Sequence, residues 1–283
     1  MENTKSNMAG LKKDKAVSPA ISSVIITSAI IVMLLVVVVF ANNYLNVRLA
    51  ENEFSTVKQF MQTLGLQIDD VAWTIGRTQT TRYTSQFGQV YFESPALNYT
   101  VYINDDPNPT FNYSTGILLF NMPINRFNIA NDYRERINPS SDSRFLHVGT
   151  SAPVANVYVM EKIPMNDGNY IRVVLAPSIR MLNSTITING STQTYFKFYL
   201  PILNAGVQPR YSQSVTLEGT NVTVQTAPNV TSVKIKVGFP QSTLGFDIDF
   251  FRFDFIEEQI NVTAGSTVQF YTGSVTTSLG VYA

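Results

Sequence analysis

This chain of 283 residues has no cysteine, and it has only one histidine, His147, and one tryptophan, Trp73. The absence of cysteine excludes disulfides, thiolate nucleophiles and cysteine-based metal sites. A single histidine excludes a metal site that needs two histidines from one chain. We therefore interpret His147 as a packed or surface side chain rather than a catalytic base. Trp73 is expected to be a packing residue rather than a platform for a ligand.

Charged residues are few, at 14% of the chain, and the 20 basic residues balance the 20 acidic ones. This balance argues against nucleic-acid binding, which needs a basic face. The G-x-S-x-G, G-x-x-x-x-G-K and G-x-G-x-x-G motifs of hydrolases and nucleotide-binding proteins do not occur. Ser55 and Lys58 match S-x-x-K by chance, because its companion motifs are missing. We predict no enzymatic activity and no cofactor.

Two pairs of carboxylates are the candidates for calcium binding. Asp105 and Asp106 lie in a turn-like segment, and Asp247 and Asp249 lie on one face of a predicted strand. Calcium takes six to eight oxygen ligands, and neither pair supplies them alone. We interpret the pairs as a solvated loop and a charged strand face, and we predict no metal site.

The longest uncharged segment lies near the N-terminus. No charged residue occurs between Lys15 and Arg48, and the 22 residues from Ala20 to Ala41 are almost all apolar or small. At about 1.5 Å rise per residue, a helix over this segment would be roughly 33 Å long, enough to cross a bilayer. Lysines precede the segment and predict that the C-terminal part of the chain faces outward.

Three interpretations of this segment are possible. It could be the core of a secretory signal peptide that is cut before Asn42, although such cores usually have about 7–15 residues. It could be a plain transmembrane anchor. Alternatively, the cut could lie before the apolar run, so that the helix becomes the new N-terminus.

The residues at the start of the run, Lys15-Ala16-Val17-Ser18-Pro19-Ala20-Ile21, favour the third interpretation. This junction and the uncut apolar run resemble the class III, prepilin-type signal peptide of archaeal type IV pilins. The resemblance covers about residues 12–41. It implies that a leader, residues 1–16, is removed, and it assigns Lys15, Ala16 and Val17 to processing. Ile21 stands where bacterial type IV pilins usually have glutamate, which favours the archaeal family.

The composition of the helix fits assembly with copies of itself. Ser18 can cap a helix start, and Pro19 suits the first turn. Small residues in the first half allow close helix packing in an apolar medium, and bulky residues follow from Ile30 to Phe40. In the membrane or filament core, residues 18–41, we assign assembly to Ser18, Pro19, Ala20, Ile21, Val24, Ile25, Ile30, Ile31, Leu34, Leu35, Val38 and Phe40.

A single apolar stripe predicts that the helix continues as an amphipathic stalk over residues 42–76, within an N-terminal helical region of residues 17–77. The stripe could be a coiled-coil seam, or it could pack on the protein's own β-sheet. The few charged residues beside it favour the sheet. Gly65 is expected to weaken the helix locally, because glycine has a low helix propensity, and Gly76 is expected to be a C-cap. The stripe consists of Val47, Ala50, Phe54, Val57, Met61, Leu64, Ile68, Val71 and Ile75.

Residues 78–283 change to short runs of period two, bounded by Gly, Pro, Asn and Asp, which predicts a β-rich head. The fold class is therefore α+β, a long hydrophobic helix followed by an antiparallel, sandwich-like extracellular head with a possible subdomain break near residues 201–212. Parts of the segment from residue 125 to residue 144 look irregular. The predicted strands are Gln89–Phe92, Tyr99–Ile103, Gly116–Phe120, Asn156–Lys162, Tyr170–Ala176, Ser184–Ile188, Gln193–Leu200, Ser214–Leu217, Asn221–Gln225, Ser232–Phe239, Asp247–Phe255 and Thr267–Tyr271.

Residues 245–258 form an aromatic segment in which phenylalanines alternate with other residues, as on one face of a strand. This alternation shifts by one residue between Phe250 and Phe251. A β-bulge at this point would keep both sets of aromatic side chains buried. The alternative is a sheet edge with aromatic side chains on both faces, available to a neighbouring subunit.

Seven N-x-S/T sequons lie beyond residue 77, on the predicted outer side, which is typical of a glycosylated surface protein. We expect only some of them to be occupied. The sites are Asn98, Asn112, Asn183, Asn189, Asn221, Asn229 and Asn261.

Together these features predict a structural subunit of an archaeal type IV pilus-like, adhesive surface filament. The resemblance implies a membrane-inserted precursor with a cytoplasmic N-terminus, and as partners copies of the chain itself, the membrane before assembly, prepilin peptidase and the pilus assembly machinery. No nucleic-acid partner is expected. The alternatives are a membrane-anchored, glycosylated surface or adhesion protein that does not polymerise, and a minor pilin.

Overall fold

The computed structural model describes residues 19–188 and 191–280, and the chain divides into two units, residues 1–48 and 49–283. The helix α1 spans Pro19–Ala72 and so contributes to both units. It ends at Ala72, four residues before residue 76, the predicted end of the stalk. Gly76 lies in the turn that follows, with φ of +80°, and its N–H donates to the Gly219 carbonyl at 2.7 Å. The glycine therefore allows the left-handed backbone conformation of this turn and is not the C-cap of the helix.

Within the described residues, α1 is followed by eleven strands, one 3-10 turn at Ser242–Leu244 and a second α-helix of a single turn. Two predicted strands, Gln89–Phe92 and Tyr99–Ile103, are parts of a single strand in the structure. Another single strand, from residue 214 to 238, contains three predicted strands: Ser214–Leu217, Asn221–Gln225 and most of Ser232–Phe239. The elements are β1 (Thr78–Arg82), β2 (Gln89–Ile103), β3 (Phe111–Pro123), β4 (Arg134–Asn138), β5 (Leu146–Val148), β6 (Ala155–Glu161), β7 (Tyr170–Pro177), β8 (Ile179–Ile188), β9 (Ser191–Ala205), β10 (Ser214–Gly238), α2 (Ile248–Phe251) and β11 (Glu257–Gly280).

All eleven strands belong to one hydrogen-bonded sheet, in the order β4-β6-β7-β3-β2-β10-β11-β9-β8-β5, with β1 paired to β10. The α+β class is confirmed, whereas a sandwich of two separate sheets is not. The expectation of an antiparallel arrangement fails at two places, because β9 pairs parallel with β11 and β5 pairs parallel with β8. β4 lies in the segment that was expected to be partly irregular, and β9 passes through Pro201 without a break.

One face of the sheet packs against residues 50–72 of α1. Seven of the nine residues of the predicted stripe are buried there, whereas Val47 and Ile75 are exposed. The stripe therefore packs on the protein's own sheet, as expected, and contacts side chains such as Leu118, Phe120 and Val173 in one apolar core. A Cβ on Gly65 would lie 3.1 Å from Val157 Cγ2, so this glycine permits close approach of helix and sheet.

The other face of the sheet encloses a second apolar core. Successive residues of β3 alternate between the two cores, with Leu118 in the first and Leu119 in the second, as expected for a strand buried on both faces. Strands that are not neighbours in the sheet also contact one another. The Leu203 N–H of β9 donates to Thr115 Oγ1 of β3 at 2.9 Å, and Tyr113 stacks on Phe270 at a centroid distance of 5.5 Å.

The aromatic segment after residue 245 is not a strand, and the predicted β-bulge is wrong. Asp247 caps a single helical turn, α2, by accepting a hydrogen bond from the Phe250 N–H at 3.0 Å. Arg252 then adopts the left-handed region, with φ of 43°, and redirects the chain. This turn lets both phases of the aromatic pattern reach the second core, where Phe246, Phe250, Phe251 and Phe253 are buried.

Candidate functional site: the uncovered apolar helix

The apolar half of α1 is uncovered on all sides within its own unit. From Ile21 to Val47, every large apolar side chain has a relative exposure of 53% to 74%. The predicted assembly residues from Ile21 to Phe40 belong to this set. Pro19 and Ala20 begin the helix, and Ser18 lies outside the described residues.

The most apolar stretch of this helix has a mean hydropathy of 3.2, and within the described residues α1 is the one helix long and apolar enough to cross a membrane. A helix that is apolar all round needs an apolar surrounding, either lipid or other protein. The segment therefore has the properties of a membrane-inserted helix or of a signal sequence.

Polar side chains at two places on this helix have local hydrogen-bond partners. Thr27 Oγ1 donates to the Ser23 carbonyl at 2.8 Å, which is how hydroxyl groups are tolerated in an apolar medium. At the other end of the apolar run, Arg48 Nε donates to the Tyr44 hydroxyl at 3.3 Å, and the guanidinium lies 5.4 Å from the ring centroid. A tyrosine and an arginine at this position are typical of a membrane–water interface.

The predicted processing residues, Lys15, Ala16 and Val17, lie outside the described residues. The cleavage junction therefore remains a prediction from the sequence. No distance or contact bears on it.

The predicted glycosylation sites lie on several strands of the head. Asn98 is half-buried in β2, between β3 and β10. Asn189 lies outside the described residues. The other five are exposed: Asn112 on β3, Asn183 on β8, Asn221 and Asn229 on β10, and Asn261 on β11.

His147 was expected to be either a packed or a surface side chain, and the structure shows it packed and buried. Its Nε2 lies 2.8 Å from Asn156 Oδ1, and Nδ1 lies 3.4 Å from Asp142 Oδ2. These contacts hold the ring between β5 and β6. A general base would need to reach a substrate, and this ring is only 4% exposed.

Three of the four carboxylates in the two pairs have structural partners. Asp105 accepts hydrogen bonds from Ser232 and Gln259, and Asp106 accepts one from the Asn108 N–H. Asp247, which caps α2, also pairs with Lys162 at 2.7 Å, so it does not project from a strand face as predicted. Among the described residues there is no group of three or more His, Cys, Asp or Glu side chains placed to hold a metal ion.

A cluster of charged residues near His147 was not found from the sequence, because Glu258 is more than one hundred residues from Asp142 and Arg144 along the chain. Burial raises the pKa of Glu258 to about 7, against the opposing effect of Arg144. Burial also acts on Asp142, but hydrogen bonds and charge from Arg144 outweigh it and leave the pKa of Asp142 lowered. Glu258 Oε1 is buried and finds no hydrogen-bond partner within the described part of the chain.

No protein-family model, curated protein or solved structure matches this chain significantly.

Proposed function

We propose that this chain is a structural subunit of a surface filament of the archaeal type IV pilus kind, assembled through its N-terminal apolar helix. After cleavage between Ala16 and Val17, the helix would exchange lipid contacts for contacts with the same helix of other copies. The β-rich heads would form the outer surface, where they would mediate adhesion.

The observation that carries this proposal is the uncovered apolar surface from Ile21 to Val47, whose large side chains are all more than half exposed. Such a surface is stable in lipid, and small residues such as Ser22, Ser28 and Ala29 allow close approach of a second helix. The resemblance at Lys15–Ile21 adds the processing step that would release the helix for assembly.

The docking of residues 50–72 of α1 on the sheet also supports a subunit role. Phe54, Met61 and Ile68 are buried between helix and sheet, and Lys58 Nζ pairs with Glu135 at 2.9 Å. An assembly force on the helix would thus act on a segment that is firmly packed in the head. This is the arrangement that the resemblance to pilins suggests.

The substitution Ile30→Asp tests the proposal, because it places a charge in the middle of the apolar run. We expect it to abolish filaments in the sheared surface fraction, seen by electron microscopy. Leu66→Asp is the matched control: Leu66 lies on the same helix and is 62% exposed, but it is outside the apolar run. Control cells should still produce filaments.

Three results would contradict the proposal. Normal filaments from the Ile30→Asp variant would show that the apolar helix does not assemble them. A wild-type chain that stays in the membrane as single copies, without entering the sheared fraction, would favour the anchored surface protein. A wild-type chain present in filaments only in trace amounts would favour a minor pilin.

A further inference from the structure

An open cleft lies at one end of the head, where β2, β3 and β7 begin or end. Its main part has a volume of about 470 Å³ and is bordered by the loops at residues 85–88 and 211–213. A second part of about 430 Å³ shares Gln89, Tyr91 and Tyr211 with the first. Together they form one continuous surface of the size that small-molecule ligands occupy.

The floor of the cleft comes from one face of three adjacent strands. Gln89 of β2 lies opposite Asn121 of β3, and Pro123 of β3 lies opposite Tyr170 of β7. Since opposite residues of an antiparallel pair share a face, their side chains line the cleft together. The three strands are internal to the sheet, so the cleft offers no free strand edge to an extended peptide.

Asn121 lies in the wall of the cleft and has an unpartnered polar atom. The residue is only 8% exposed, and its Oδ1 atom finds no hydrogen-bond partner among the described residues. An unpartnered buried amide oxygen destabilises a fold, and a ligand in the cleft that supplied a donor would remove this cost.

Both borders of the cleft are held in place before any ligand arrives. Glu53 of α1 accepts hydrogen bonds from the backbone N–H groups of Gln86, Phe87 and Gly88 at 2.8, 3.1 and 3.2 Å. On the opposite side the buried Tyr83 hydroxyl donates to the Ser212 carbonyl at 2.7 Å and accepts from the Val90 N–H at 2.9 Å. A site that is rigid in advance loses less entropy on binding.

The lining combines aromatic rings with amide and hydroxyl groups and has almost no charge. Tyr211 is 64% exposed and Tyr91 41% exposed, so their rings are available for stacking. Burial and the neighbouring Tyr170 raise the pKa of Tyr91, so its hydroxyl stays neutral. Arg210 alone is charged among the described residues that line the two parts.

We propose that this cleft binds a neutral glycan through stacking of pyranose rings on Tyr91 and Tyr211 and through hydrogen bonds between sugar hydroxyls and the side-chain amide of Asn121. Amide groups both donate and accept hydrogen bonds, as adjacent sugar hydroxyls do. The C–H face of a pyranose is apolar and matches an aromatic ring. The absence of carboxylates from the described lining removes the groups that would bind a cation. The inference does not depend on filament assembly.

The test is a screen of the full-length chain on an array of neutral oligosaccharides, followed by titration of each one that binds. The detergent must be zwitterionic, because a detergent with a sugar headgroup would compete. Glycans released from the native chain itself form a second arm, which distinguishes binding of a neighbouring subunit's glycans from binding of foreign ones. Binding in either arm meets the expectation.

Two variants locate the binding. Tyr211→Ala removes an exposed ring and should weaken binding about fivefold. Asn121→Leu should weaken it about tenfold, while the midpoint of thermal unfolding stays the same or rises because an unpartnered buried oxygen is lost. Val207→Ala, in the loop beside the cleft and outside its lining, is the control, and binding should be unchanged.

Failure of every neutral oligosaccharide in both arms to bind would overturn the inference. Binding that survives both Tyr211→Ala and Asn121→Leu would also overturn it, since the sugar would then occupy another place on the chain. Filament formation by these variants is expected to be normal, so this result is separable from a failure of the assembly proposal.

Discussion

The guanidinium of Arg180 on β8 holds the carboxylate of Asp69 on α1 through two parallel hydrogen bonds, Nη1 to Oδ2 at 2.7 Å and Nη2 to Oδ1 at 3.0 Å. Trp73 donates its Nε1–H to the same carboxylate at 2.9 Å, and its ring meets the ring of Tyr199 edge-on at 5.3 Å. Asp69 therefore fixes the last turns of α1 on the sheet, and Trp73 is a packing residue, as expected.

Loss of this pair should loosen the end of the helix. We expect Asp69→Ala to lower the free energy of unfolding by about 2 kcal/mol, because Arg180 is only 13% exposed and would lose a charged partner. The measurement is urea denaturation of the chain, with a double-mutant cycle that adds Arg180→Ala.

The neighbouring pair Asp70–Arg77 provides a control, since both side chains are more than 40% exposed. Exposed ion pairs contribute about 0–1 kcal/mol. If Asp70→Ala destabilised the chain as much as Asp69→Ala does, the pair with Arg180 would have no special role in docking.

Gly273 of β11 lies directly beneath the C-terminal end of α1. A Cβ at this position would be 2.2 Å from the Ala72 carbonyl oxygen, an overlap with backbone that cannot relax easily. We expect Gly273→Ala to lower the free energy of unfolding by about 1–3 kcal/mol, measured by denaturant titration.

Gly238 of β10 is the matched glycine, because a Cβ there would meet its nearest neighbour at 3.7 Å. Gly238→Ala should change stability little, or raise it through a smaller entropy of the unfolded chain. Equal destabilisation by the two substitutions would show that the space beneath the helix is not the cause.

Glu258 should make stability depend on pH. Because burial raises its pKa from 4.5 to about 7, the folded state binds more protons than the unfolded state between these values. The free energy of unfolding should therefore decrease as pH rises from about 4.5 to 7. Glu258→Gln, which cannot ionise, should remove this part of the decrease.

The adjacent exposed carboxylate Glu257 pairs with Lys236 at 2.8 Å and serves as control. Thermal unfolding followed across this pH range compares Glu257→Gln with Glu258→Gln. A wild-type curve and a Glu258→Gln curve that run parallel from pH 4.5 to 7 would refute the buried-glutamate account.

Glycans are expected at exposed sequons and not at Asn98, which is half-buried in a strand with neighbours on both sides. Mass spectrometry of glycopeptides from the native chain measures the occupancy of each site. The prediction assumes that exposure in the folded chain decides which sequons carry a glycan. A glycan on Asn98, with none on the exposed Asn112 and Asn261, would contradict it.

The helix was the most predictable part of the fold, because its signals are local. From Ala50 to Val71, an apolar residue recurs every three or four positions, which defines one face of the helix as buried. The structure buries this face. Its end at Ala72 was less predictable, since it is set by tertiary contacts, including the close approach of Gly273. The helix signal in the sequence could not reveal those contacts.

The sheet was predictable as strands but not as a topology. Parallel pairing of β9 with β11 joins residues about seventy positions apart, for example Tyr195 with Thr267, and no local pattern records such a pairing. The aromatic segment failed for a different reason. Alternating phenylalanines predicted a strand, but Asp247 competes for the Phe250 N–H and starts a helical turn.

The cleft could not be predicted from the sequence, since Gln89, Asn121, Tyr170 and Tyr211 come from separate parts of the chain. Each residue alone is an ordinary strand or loop residue. Its exposed rings, Tyr91 and Tyr211, and the nearly uncharged lining around Asn121 emerge only when these segments are brought together in the fold.

The most direct test of the central claim is the N-terminus of the native protein, determined by mass spectrometry of the sheared surface fraction and of the membrane fraction. The account predicts a chain that begins at Val17 in both fractions, because removal of the leader precedes assembly. A chain that begins at Met1 would show a retained anchor, and one that begins at Asn42 a released head. Either result would contradict assembly through the apolar helix.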